Sequence, residues 1–180
     1  MLVLALAYVL NFNTSNMKTL KQTEISKDFG NKRLHIEREF DAPLDRVWKA
    51  WTDKDLLDKW WAPKPWQART KKMDFREGGQ WLYYMGGPDG EKQWCREDFK
   101  TIVNYKSFTA VDAFCDENGK ENTDMPRMNW KNVFSEIESG TRVITDITFS
   151  STAEMNKILE MGFEEGFTAA LENLDELLAK

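Results

Sequence analysis

Residues 38–63 read REFDAPLDRVWKAWTDKDLLDKWWAP, and this stretch decides the fold because a strand runs into two short helices within it. Apolar and polar residues alternate up to Phe40, which is the period of a half-buried strand. Pro43 then suits the first turn of a helix, since its φ is fixed and it has no N–H to donate. Apolar residues follow at helical spacing on both sides of a break near Thr52 and Asp53, which predicts two short amphipathic helices.

Length and composition indicate one compact domain. The chain has 180 residues, of which 41% are hydrophobic and 13% aromatic, so it can bury a sizeable core but has no room for a second full domain. The net charge is −5, and Lys and Arg are scattered among Asp and Glu without forming a basic stripe. Nucleic acid and anionic membranes are therefore not expected as partners.

The cysteines and the N-terminus bear on localisation. Cys95 and Cys115 have no C-x-x-C spacing, so neither a zinc site nor a disulfide scaffold is indicated, and a reducing cytoplasm is expected. Residues 1–12 are apolar and of signal-peptide size, but no Lys or Arg precedes them, no A-x-A-like site follows, and they are too short to span a bilayer. Residues 1–28 are interpreted as a poorly ordered extension, with Met17 as an alternative start, before a single domain over residues 29–180.

After Pro63 the sequence has the period of β-strands. Glycine-rich turn signals at residues 77–79 and 86–90 separate alternating segments, and further turns are expected at residues 104–106 and 139–141. Together with the strand that ends at Phe40, this pattern predicts about seven strands. Because their connections are short, the sheet should be antiparallel.

One long helix is expected at the C-terminus. Ser151 and Glu154 have capping-box spacing, and a continuous apolar stripe runs from there to Leu178. Gly162 and Gly166 lie four residues apart in this stripe, although glycine inside a helix costs about 1 kcal/mol relative to alanine. Either they allow a neighbouring element to approach closely, or they leave space between the helix and the sheet.

Six segments of the chain, taken in order, resemble a known family. They are REFDAP at 38–43, VWKAWTD at 47–53, KWWAP at 59–63, DFREGGQWLYYM at 74–85, GPDG at 87–90 and GFEEGFTAALENLDELL at 162–178. This succession resembles the bacterial homologues of the activator of the heat-shock-protein-90 ATPase, which belong to the START and birch-allergen-like (SRPBCC) superfamily. The resemblance covers roughly residues 32–180.

The resemblance implies an α+β helix-grip fold, in which a curved antiparallel sheet wraps around the long C-terminal helix and two short helices after strand 1 close one end of a cavity. Similar proteins hold lipids, polyketides or other apolar molecules there, and a few catalyse cyclisation or hydrolysis. The family is named after a eukaryotic co-chaperone with an additional N-terminal domain. These 180 residues have no counterpart of that domain, so a chaperone partner is the less favoured expectation.

The leading hypothesis is therefore a module that binds a hydrophobic small molecule, as a monomer or homodimer. Its expected cavity residues are Trp81, Tyr83, Met85, Phe99, Trp130, Phe134, Gly162, Phe163, Gly166 and Phe167, with Trp51, Trp60 and Trp61 as the cap. The rivals are a cyclase- or hydrolase-like enzyme and an interaction module that docks a chaperone or its own copy. The sequence has one histidine and no P-loop, G-x-G-x-x-G or G-x-S-x-G motif, so no cofactor or metal is expected and binding is favoured over catalysis.

Two positions on one predicted strand carry specific expectations. Glu97 stands where similar sequences tend to have glycine. It either points into the cavity, as a weak candidate for acid–base chemistry, or points outward as a solvated charge. If residues 104–106 form a three-residue loop, counting outward from it pairs Cys95 with Cys115 as unbonded neighbours.

Overall fold

The computed structural model describes residues 22–180, so the expectations for residues 1–21, including the alternative start at Met17, lie outside it. The described part contains one eight-stranded antiparallel sheet and four helices. In chain order the elements are β1 (Glu24–Asp28), β2 (Arg33–Phe40), α1 (Leu44–Thr52), α2 (Lys54–Trp60), β3 (Gln67–Met73), β4 (Gln80–Gly86), β5 (Lys92–Val103), β6 (Ser107–Phe114), β7 (Arg127–Ile137), β8 (Gly140–Thr148), α3 (Thr152–Glu160) and α4 (Phe163–Leu178). The strand order across the sheet is β1-β2-β8-β7-β6-β5-β4-β3.

The transition from β2 to the helix pair follows the predicted pattern. Pro43 is the N-cap of α1 with φ −65°, and Asp53 ends α1 and begins α2. The Asp53 carboxylate accepts hydrogen bonds from the backbone N–H groups of Asp55 and Leu56, at 2.9 and 3.2 Å. This N-cap interaction satisfies donors that would otherwise have no partner, which lets a new helix start directly after the first.

The sheet has one strand more than predicted. Strand β1 lies within the segment that was expected to be an extension, and it pairs along the edge of β2, with Ile25 opposite Ile36. Its sequence, EISKD, contains one apolar residue, so it has no period-2 signal of its own. Pairing with β2, rather than local preference, determines its conformation.

The prediction of one continuous C-terminal helix is wrong at residues 161–162. Gly162 has φ +82° and is the N-cap of α4, so the chain makes a left-handed turn between α3 and α4. Glycine adopts this conformation with no Cβ penalty. The predicted capping at the start of α3 is present, since the Ser151 hydroxyl accepts from the Glu154 N–H at 3.2 Å.

Helix α4 packs on the inner face of the sheet. It buries apolar side chains along most of its length, namely Phe167, Ala170, Leu171, Leu174 and Leu178. Arg38 of β2 is 2% exposed and forms an ion pair with Asp175 of α4 at 2.5 Å, which ties the helix to the sheet at its C-terminal end. Within residues 22–180, no helix combines the length and the hydropathy that crossing a membrane requires.

Candidate functional site

The helix pair α1–α2 builds a layer of tryptophan side chains at one end of the core. Trp51 packs against Trp60 with ring centroids 5.0 Å apart, and Trp60 donates its indole N–H to the backbone carbonyl of Ala50 at 2.9 Å. Trp61 reaches further, and its indole N–H donates to the Tyr83 hydroxyl on β4 at 2.9 Å. The cap is therefore attached to the sheet through a specific polar contact as well as through apolar packing.

A cavity of about 330 Å³ lies between helices α3 and α4 and the inner face of strands β4–β7. The side chains that line it are mostly apolar, and many of them are aromatic. They are Trp61, Pro63, Trp66, Tyr83, Met85, Gln93, Cys95, Asp112, Phe114, Met128, Trp130, Ile158, Met161, Gly162, Phe163, Gly166 and Phe167. Gln93 and Met161 are exposed, whereas Tyr83, Cys95 and Asp112 are buried, so the cavity has a solvent-side end and a buried polar end.

Most of the side chains expected in the cavity lie in its lining. These are Tyr83, Met85, Trp130, Gly162, Phe163, Gly166 and Phe167, together with Trp61 of the cap. Trp51 and Trp60 pack behind Trp61 rather than against the cavity. Trp130 and Phe167 have ring centroids 5.4 Å apart, so the sheet wall and the helix wall meet at this contact.

Three of the expected wall residues lie elsewhere. Trp81 stacks on the Tyr83 ring, with centroids 3.9 Å apart, and is absent from the lining. Phe99 and Phe134 are buried with Phe108 at the other end of the strands, where the inner face is filled. The alternation of a strand identifies its inner face, but it does not indicate how far along the strand the core is filled and where it becomes hollow.

The most informative residue that the sequence analysis missed is Asp112. Strand β6 reads SFTAVDAF, and Asp112 is in phase with the buried Phe108 and Ala110, so the alternation already placed a carboxyl group on the inner face. The signal was present in the period-2 pattern. It was overlooked because aspartate is rarely buried without a partner.

Asp112 belongs to a buried polar cluster. The Tyr83 hydroxyl hydrogen-bonds Asp112, while it accepts the indole N–H of Trp61. Since the indole can only donate, the phenolic hydrogen is left to be donated to the carboxyl group. Glu97 stands directly opposite Asp112 in the β5–β6 register, and both residues are buried.

Burial changes the protonation of this cluster. Desolvation raises the pKa of Asp112 to about 7. The hydrogen bond from Tyr83 lowers this pKa and so opposes part of the rise. Desolvation, reinforced by the charge of Asp112, raises the pKa of Glu97 well above its usual value. The same effect raises the pKa of the Tyr83 hydroxyl and of the Cys95 thiol, so both are neutral at physiological pH. Asp112 therefore changes its charge near neutrality, whereas Tyr83 and Cys95 do not.

Glu97 and the cysteines refine the sequence expectations for β5. Glu97 faces inward, but it lies outside the cavity lining, behind the polar end. The expected pairing of Cys95 with Cys115 is wrong, because a bulge between Phe99 and Thr101 shifts the register and pairs Cys95 with Phe114. The pairing that begins at the turn, Val103 with Ser107, is as predicted, so one extra residue accounts for the whole error.

The two glycines have different roles. Gly162 makes the positive-φ turn described above, whereas Gly166 lies inside α4. A Cβ at Gly166 would lie 3.8 Å from Pro63, which is an ordinary contact, so no neighbouring backbone requires glycine there. Because Gly166 lines the cavity, a side chain at this position would extend into it, which favours the interpretation that this glycine leaves space.

No group of histidine, cysteine and acidic side chains that could hold a metal is found among residues 22–180. The single histidine, His35, lies on β2 outside the cavity lining and hydrogen-bonds Asp146 at 2.8 Å.

An antiparallel sheet that packs around a C-terminal helix, with an αα pair after the first long strand and a cavity between helix and sheet, defines an α+β helix-grip protein. The chain belongs to the family described as Activator of Hsp90 ATPase homolog 1-like protein, which matches residues 41–179. The resemblance seen in the sequence is thereby confirmed.

Solved structures support the same assignment. Protein Ms6760 from Mycobacterium smegmatis is 35% identical, with a TM-score of 0.81 over 87% of this chain and 96% of its own. A protein from Arthrobacter aurescens is also 35% identical, with a TM-score of 0.82 over 87% of this chain and 91% of its own. Protein NE0264 from Nitrosomonas europaea is 29% identical, with a TM-score of 0.73 over 83% of this chain and 95% of its own. A comparison with the curated proteins finds no match.

Proposed function

We propose that this protein binds a small apolar or amphipathic molecule in the cavity between α3–α4 and the sheet. The observation that carries the proposal is the combination of about 330 Å³ of space with a lining of aromatic and aliphatic side chains. Ligand pockets in proteins range from about 300 to 1,000 Å³ and are mostly apolar with a few placed polar groups. The volume is at the lower end of this range, which favours a compact ligand over a long-chain lipid.

The position of the polar groups suggests how a ligand would be oriented. Asp112, Tyr83 and Cys95 lie together at the buried end, whereas the exposed Gln93 and Met161 mark the other end. An amphipathic molecule would therefore place its polar group inward and its apolar part between Trp130 and the phenylalanines of α4. Both cysteines are free, which supports the further proposal of a reducing, cytoplasmic setting.

A second candidate function is catalysis of a proton transfer at the buried end. It is favoured by Asp112, whose pKa of about 7 suits a group that gives and takes a proton at neutral pH. The binding function comes first because no nucleophile with an adjacent base accompanies this carboxyl group: Cys95 is kept neutral by burial.

Native mass spectrometry of the protein purified from its own host, under non-denaturing and then denaturing conditions, tests the binding function. We expect a small molecule in the first spectrum that is absent from the second. Gly166→Leu should abolish its retention by filling the cavity, whereas Ala169→Leu, on the same helix but outside the lining, should retain it. Equal retention by both variants would show that the ligand binds elsewhere.

A further inference from the structure

The lining of the cavity has an unusual balance of charge and aromatic surface. Seven of its side chains are aromatic, namely Trp61, Trp66, Tyr83, Phe114, Trp130, Phe163 and Phe167. Asp112 is its one acidic residue, and the described lining includes no lysine, arginine or histidine. The cavity can therefore develop a negative charge at its buried end, and it has no basic side chain to neutralise that charge.

Each class of ligand polar group meets this environment differently. A carboxylate would place a second negative charge beside Asp112 in a site of low polarity, which is unfavourable. A neutral hydroxyl would gain a hydrogen bond only. A cation would neutralise the ionised carboxylate and would also be attracted to aromatic faces within about 6 Å.

The aromatic side chains are close enough together to act on one small group. The Trp61 ring centroid is 5.9 Å from that of Trp130 and 6.1 Å from that of Phe167. Trp61 also contacts Tyr83, the residue that hydrogen-bonds Asp112. A cation beside the Asp112 carboxylate would therefore lie near Tyr83, and Trp61, Trp130 and Phe167 continue the same aromatic wall of the cavity.

We propose that the cavity selects organic ammonium ions, with the Asp112 carboxylate as counter-ion and the surrounding rings as an aromatic cage. This inference rests on the proposed function, since it names the chemical class of the ligand for the same cavity. The selected molecules are compact, with one amine and an apolar body.

The pH dependence follows from the groups that face Asp112. Tyr83 approaches from β4, Cys95 and Glu97 approach from β5, and α3 and α4 contribute no titratable side chain to the lining. Burial keeps Tyr83 and Cys95 neutral and raises the pKa of Glu97 well above its usual value, so the charge near the ligand is set mainly by Asp112, and Asp98 on the other face of β5 adds a weaker effect. Between about pH 6 and about pH 8 the ionised fraction of Asp112 rises about tenfold, and the apparent affinity for an amine that stays protonated over this interval should rise with it.

Isothermal titration with three matched probes, phenylpropylamine, phenylpropanol and phenylpropionate, tests the inference on the full-length protein. At about pH 8 we expect the amine to bind at least about tenfold more tightly than the alcohol, and the carboxylate to bind most weakly. The preference for the amine should shrink about tenfold at about pH 6. This comparison uses the unmodified protein, so it does not depend on how a variant folds.

Asp112→Asn should remove the preference for the amine, while binding of the alcohol is retained. The control Asp89→Asn makes the same change on an exposed loop and should leave the preference intact. Equal binding of amine and alcohol by the unmodified protein would overturn the inference and leave the binding cavity standing. Failure of all three probes would also overturn it, and the proposed function would then be judged by the co-purified molecule.

Discussion

Replacement of Asp112 by asparagine should change the dependence of stability on pH. The folded protein holds the Asp112 pKa at about 7, whereas the ordinary pKa of an aspartate side chain, which applies to the unfolded chain, is 3.8. The folded state therefore binds this proton more tightly than the unfolded state. The stability that results is fully present below the unfolded pKa and is lost as the pH rises through the folded pKa.

The size of the effect follows from the difference between these two pKa values. Each pKa unit corresponds to about 1.36 kcal/mol, so ionised Asp112 costs about 4 kcal/mol relative to its protonated form. Between about pH 5 and about pH 8 the part of this cost that appears is about 2 to 3 kcal/mol. Asparagine has nearly the shape of the protonated side chain and does not titrate. As the pH rises over this interval, the free energy of unfolding of Asp112→Asn should therefore increase by about the same amount relative to that of the unmodified protein.

Urea unfolding followed by tryptophan fluorescence, at three pH values between about pH 5 and about pH 8, measures this difference. The quantity to compare is the free energy of unfolding of Asp112→Asn minus that of the unmodified protein, because titrating groups that do not interact with Asp112 cancel in it. Asp89→Asn serves as the exposed control and should give a difference that does not vary with pH. A flat difference for Asp112→Asn as well would refute the description of Asp112 as a desolvated carboxyl group.

Two further predictions concern backbone space and thiol burial. Gly140→Ala should destabilise by at least about 3 kcal/mol in urea unfolding, since φ is +142° and the added Cβ would lie 2.1 Å from the Phe40 carbonyl oxygen. Gly90→Ala, with φ +91° in open space, should cost only about 1 kcal/mol, and equal losses would contradict the close approach at Gly140. In a thiol-reagent assay Cys115 should react before denaturation, although slowly because its pKa is about 11, and Cys95 only after it. Simultaneous reaction of both thiols would argue against the burial of Cys95.

The architecture could be predicted from the sequence wherever local and tertiary signals agree. The strand ending at Phe40, the proline after it and the helical spacing that follows each favour the observed structure, and so do the turn signals between β3 and β8. Strand β1 was not predicted because its sequence has no strand pattern, and its extended conformation results from pairing with β2. The break at Gly162 escaped because the apolar stripe continues across it, and spacing alone does not distinguish a bent helix from a straight one.

The candidate site could be predicted only in part, since its details depend on the register between strands and on how far along each strand the core is filled. One bulged residue between Phe99 and Thr101 was enough to exchange Cys115 for Phe114 as the neighbour of Cys95. Phe99 and Phe134 have the same inward phase as Trp130, yet they lie in filled core. The periodicity of a strand cannot distinguish a residue in the filled core from one in the cavity lining, because that difference depends on which helix covers each end of the sheet.

The tryptophans of residues 38–63 affect the chemistry of the cavity as well as its enclosure. Trp61 donates to the Tyr83 hydroxyl, and this directs the phenolic hydrogen toward Asp112. A hydrogen bond donated to a carboxylate stabilises its charged form, so the cap partly offsets the desolvation that burial imposes on Asp112. Without that bond the carboxyl group would remain protonated at higher pH and would be a poorer counter-ion at neutrality. The same packing that closes the core thus helps to keep the pKa of the one carboxyl group in the lining near neutrality.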